Sequence, residues 1–123
     1  MEEEKMKAAV VGLILDAKPE DAIEMLSRWY RVSRPKLGVG VFEGRTKGVA
    51  AVYSPKRKEI LAANSDYLYD PFVIVHEFYH HLRQVGGKHR GTEKDADRFA
   101  NTFLDAHRRL GYDPGSVGLE ADG

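Results

Sequence analysis

The chain has 123 residues and a mass of 13.8 kDa, enough for one hydrophobic core and too little for two. Lys plus Arg equals Asp plus Glu at 19 each, so no global charge draws it to nucleic acid or to an anionic membrane. It contains no cysteine, which excludes disulfide scaffolds and thiolate metal sites and leaves any metal to His, Asp or Glu.

The longest apolar run, Ala8 to Leu15, falls far short of a bilayer span. It follows Glu2-Glu3-Glu4, an acidic start unlike a signal peptide. These features point to a soluble, cytoplasmic protein. Charged residues reach 31% of the chain, with only one glutamine and two asparagines, a composition that leans toward a thermophilic source.

In chain order, Lys5 to Asp16 is aliphatic throughout and fits a helix or a strand equally well. Pro19-Glu20-Asp21 opens a helix, with proline in its first turn and acids at its positive end. Ala22, Ile23, Leu26 and Trp29-Tyr30 recur at helical spacing, and the helix should end before Pro35. The period then changes. Leu37, Val39 and Val41 alternate with glycines, and Val49–Tyr53 and Glu59–Ala63 follow, joined by Ser54-Pro55-Lys56-Arg57-Lys58. This predicts a small, mostly antiparallel sheet of about three strands. The basic turn reads as a solvated hairpin tip.

Asp70-Pro71 is a helix start, an N-cap acid followed by proline at the first helical position. That helix should run to about Val85 and stop at Gly86-Gly87. Thr92-Glu93-Lys94-Asp95 resembles a capping box and begins a second helix to about Leu110. One domain over residues 1–112 is expected, followed by a glycine-containing tail over 113–123.

Within the first of these helices stand His76 and His80. Four residues apart, they are offset by about 40° around the axis and about 6 Å along it, so both imidazoles can converge on one ion. Glu77 flanks them without entering the ligand set and is placed to take a proton from an activated water. Val75, Phe78, Leu82 and Val85 form an apolar stripe beside the histidine face. Zinc suits neutral imidazole nitrogen and keeps an open position when a protein supplies three ligands. Glu93 can be the third ligand if the two helices pack antiparallel across the short loop between them. Asp97, one turn further, can then accept a hydrogen bond from the outer nitrogen of a ligand histidine. Phe99, Phe103, Ala106 and Leu110 give that helix a separate core stripe.

His76-Glu77-x-x-His80 followed by Glu93-x-x-x-Asp97 resembles the gluzincin clan of zinc metallopeptidases. The segment from Glu93 to Ala100 is similar to the Glu-x-x-Ala-Asn/Asp-x-Phe-Ala signature of small ImmA/IrrE-like domains. The resemblance spans about Val49 to Leu110. It implies a zincin-like α+β fold, a Zn²⁺ cofactor held by His76, His80 and Glu93, Glu77 as general base, and Asp97 behind a ligand. A peptide or protein would be the substrate, added along an exposed sheet edge such as Val49–Tyr53.

Tyr79 and His89 are candidates to line the cleft or stabilise the transition state. Tyr53, Tyr67, Tyr69 and Tyr112 are further oxyanion donors among which the sequence does not choose. His81 points about 100° away from His80 and is expected beside the site or on the surface. Two other readings stay open: a zinc-binding regulatory or peptide-interaction module with little turnover, and a latent enzyme blocked by its own tail.

Overall fold

In the computed structural model, residues 1–40, 49–86 and 91–111 are described. The elements run α1 (Glu3–Leu15), α2 (Pro19–Tyr30), β1 (Lys36–Val39), β2 (Ala51–Ser54), β3 (Glu59–Ala62), a short 3-10 helix (Ser65–Tyr69), α3 (Pro71–Val85) and α4 (Glu93–Leu110). This is the expected α+β architecture, with helices first, a small sheet in the middle and two helices to close. Val41, His89, Tyr112 and the tail lie outside the described residues.

The ambiguous aliphatic stretch is helical. Met6, Val10, Val11 and Ile14 are fully buried, and Ala8, Ala9 and Gly12 are buried with them. The burial covers most of the helix circumference because α1 packs against α2, α3 and α4 at once. A helix enclosed in this way has no polar face to betray its period. In α2, Pro19 occupies the first turn and Ala22, Ile23 and Leu26 enter the core. The helix ends at Arg31, four residues before Pro35, as the sequence predicts.

The sheet has the order β1-β3-β2 and is mixed. β2 runs antiparallel to β3 with Tyr53 opposite Ile60, the hairpin expected from the Pro55–Lys58 turn. β1 runs parallel to β3 with Leu37 opposite Ile60, so the antiparallel expectation holds for one of the two pairings. A tight turn forces its own two strands antiparallel, but no local signal sets the direction of a strand delivered by a helix. Ala51, Tyr53, Ile60 and Ala62 are buried, and α3 packs on β2 and β3. Among the described residues β2 pairs only with β3, leaving its other side as an edge.

Local capping places the last two helices. The Asp70 carboxylate accepts the N–H groups of Phe72 at 3.0 Å and Val73 at 3.3 Å, with Pro71 at the first helical position. Thr92 Oγ1 accepts from the Asp95 N–H at 3.0 Å, which fixes where α4 begins and hence where Glu93 stands. Ile74, Val75 and Phe78 from α3 meet Ala100 and Phe103 from α4 in the core. Leu110, expected in the α4 stripe, sits in the last turn beyond the buried Ala106 and is exposed. No helix among the described residues is long and apolar enough to cross a membrane.

Candidate metal centre

α3 presents His76 and His80 toward the first turn of α4, and the two helices pack directly against each other. His76 Nε2 lies 2.8 Å from Glu93 Oε1, and His80 Nε2 lies 3.0 Å from Glu93 Oε2. One ligand atom from each of these three residues lies within 4.8 Å of the others. Ligand atoms around a tetrahedral zinc at 2.0–2.1 Å stand roughly 3.3 Å apart, so the triad needs only small side-chain adjustments to close on an ion. His80 is buried and His76 nearly so, while the Glu93 side chain is 70% exposed. The donors are therefore fixed from the protein side and open toward solvent.

Asp97 Oδ1 stands 2.9 Å from His76 Nδ1. The contact is close but not aligned as a formed hydrogen bond. The hydrogen bond that His76 does form runs from Nε2 to Glu93 Oε1 at 2.8 Å; a carboxylate only accepts, so without a metal ion Nε2 carries the proton and donates. A metal ion bound here would replace that proton on Nε2, and Nδ1 would then carry the proton toward Asp97. Two imidazoles and one carboxylate without thiolate fit zinc by donor chemistry.

Glu77 Oε2 lies 3.8 Å from His76 Nε2, and its side chain is buried beside the triad without being one of its three members. The expected residues His76, Glu77, His80, Glu93 and Asp97 are thus brought together. Tyr79 packs edge-on to His80 at 5.8 Å between ring centroids and against Phe99 at 5.3 Å. Tyr67 and Tyr69 lie in the 3-10 helix before α3, and Tyr69 is exposed.

His81 departs from expectation. It is fully buried, with Nε2 2.7 Å from the Ser33 carbonyl and Nδ1 2.7 Å from the Tyr53 hydroxyl. A carbonyl only accepts, so Nε2 carries the proton and donates, and Tyr53 Oη donates to the Nδ1 lone pair. Burial holds this imidazole below its ordinary pKa; the Ser33 carbonyl opposes that shift and Lys58 adds to it. Burial also raises the Tyr53 phenol. Tyr53 is therefore committed to fixing α3 against β2, with its hydroxyl turned to His81. The signal for this link was slight: a histidine beside the motif on the helix side that carries the apolar stripe, and a tyrosine at an inward strand position.

No family model matches the chain, and neither a curated protein nor a solved structure shows significant similarity to it.

Proposed function

We propose that this chain is a zinc-dependent metallopeptidase of gluzincin type, with His76, His80 and Glu93 holding the metal and Glu77 acting as general base. The observation that carries the reading is the meeting of two histidines and a glutamate from neighbouring helices, with the buried Glu77 carboxylate 3.8 Å from His76 Nε2. A zinc ion held by His76, His80 and Glu93 would supply Lewis acidity, acidifying water and polarising a peptide carbonyl. Glu77 takes the proton from the attacking water and later delivers it to the departing amine, acting first as base and then as acid. Asp97 holds the His76 ring so that Nε2 keeps facing the ligand position. Among the described residues β2 pairs only with β3, and its other side offers main-chain groups for an extended peptide.

The decisive experiment joins metal analysis to peptide cleavage. Protein purified without added metal or affinity tag is expected to carry about one zinc per chain. Full-length protein and a chain ending near residue 112 are assayed beside Glu77→Gln. The variant should keep its metal and lose activity by about 10²–10⁴-fold. Full activity in Glu77→Gln, or protein that takes up no zinc, would end this reading. Metal without turnover in either length would favour a peptide-binding module, and turnover only after shortening would identify a latent enzyme.

A further inference from the structure

A surface cleft of about 420 Å³ opens where the end of α2, the β2–β3 turn and the last turn of α3 meet. Its walls are Arg31, Val32, Ser33, Pro55, Lys58, Gln84 and Val85, with no carboxylate among them. Arg31 and Lys58 take part in no ion pair among the described residues. Their neighbours Arg28 and Arg34 are paired with Glu24, and Arg57 is paired with Glu59. Among the described residues, the cleft therefore brings together two positive charges without an ion-pair partner, from separate loops.

The backbone adds an independent observation. Three described non-glycine residues adopt the left-handed region, and two of them are Arg31 (φ 57°) and Lys58 (φ 50°). Each ends a segment: Arg31 closes α2, and Lys58 closes the turn before β3. Glycine is the residue that adopts this conformation without steric cost. The chain instead carries a cation at both positions, and both line the same cleft. The Ser33 carbonyl, which would repel an anion, is turned inward onto His81 Nε2.

We propose that this cleft binds the phosphoryl group of a small organic phosphate. A guanidinium fork and an ammonium match a dianion in charge, and Ser33 and Gln84, which also line the cleft, carry neutral polar groups. The volume exceeds that of a bare phosphate, and Val32, Pro55 and Val85 provide an apolar wall for the rest of the molecule. The site shares no residue with the metal centre, so it stands independently of the peptidase reading.

The test titrates the full chain with inorganic phosphate, phenyl phosphate and benzoate by calorimetry or amide-shift mapping. Phenyl phosphate should bind about tenfold more tightly than inorganic phosphate, through the apolar wall, and about tenfold more tightly than benzoate, through the second charge. Arg31→Gly and Lys58→Gly should each weaken phenyl phosphate by about tenfold or more, and the double variant should abolish binding. Because glycine relieves the left-handed backbone, both variants should keep or raise Tm, which separates loss of a ligand contact from loss of fold. Three results would each overturn the proposal: no binding of either phosphate, glycine variants that bind like the parent, or benzoate binding as tightly as phenyl phosphate.

Discussion

Gly91 is seated against the Tyr79 ring: a Cβ at Gly91 would stand 2.5 Å from Tyr79 Cε2 and 2.9 Å from its hydroxyl oxygen. Gly91 also has a φ of +83°, which side chains rarely adopt. The residue just before His80 in the chain thus sets the path of the backbone two residues ahead of Glu93. Gly91→Ala must displace one partner or the other. It should destabilise the metal-free protein by about 1–3 kcal/mol and lower zinc affinity severalfold, as read by chelator competition. Unchanged affinity would show that Glu93 is placed by its helix cap alone.

Binding of metal to the folded state alone raises stability by mass action. At a free zinc concentration 100 times Kd, the gain is about 2.7 kcal/mol. Thermal unfolding with zinc and with chelator should differ by the corresponding Tm shift. Glu93→Gln should leave the metal-free midpoint nearly unchanged, because its side chain is 70% exposed, while shrinking the zinc-dependent shift. An undiminished shift in that variant would remove Glu93 from the ligand set.

Asp97 acts through the His76 ring, from which it is separated by 2.9 Å. Asp97→Asn keeps the shape but loses the charge that would hold the proton on Nδ1 once a metal takes Nε2. Zinc affinity should fall by about 10–100-fold with little change in the stability of the metal-free protein, measured by the same competition and by urea unfolding.

Tyr53→Phe deletes the hydroxyl that donates to the buried His81 Nδ1. With no replacement donor, the orphaned nitrogen should cost about 1–3 kcal/mol in urea unfolding. Arg109→Ala provides the contrast. It removes an exposed ion pair with Glu4 and should change stability by no more than about 1 kcal/mol.

Where the structure and the sequence agree, the controlling interactions are short-range. The Asp70 cap, Pro71, the Thr92 cap and Gly111 set the bounds of α3 and α4, and each acts within a few residues of itself. The four-residue spacing of His76 and His80 makes them share a face whatever surrounds the helix. The absence of cysteine alone removes thiolate from the donor set.

The tertiary structure decided what depends on distant partners. Helix α1 is enclosed by three others, which erased the amphipathic pattern that would have revealed it. The direction of β1 follows from its pairing with β3, which comes after β2 in the chain but lies next to β1 in the sheet. His81 reaches Tyr53 across 28 residues and Ser33 across 48, and Glu93 reaches His76 across 17. Helical and capping preferences are energies of the local backbone and can be read from neighbouring residues. Which buried nitrogen meets which oxygen, and which cations share a cleft, depends on how the elements pack, and no local pattern encodes that.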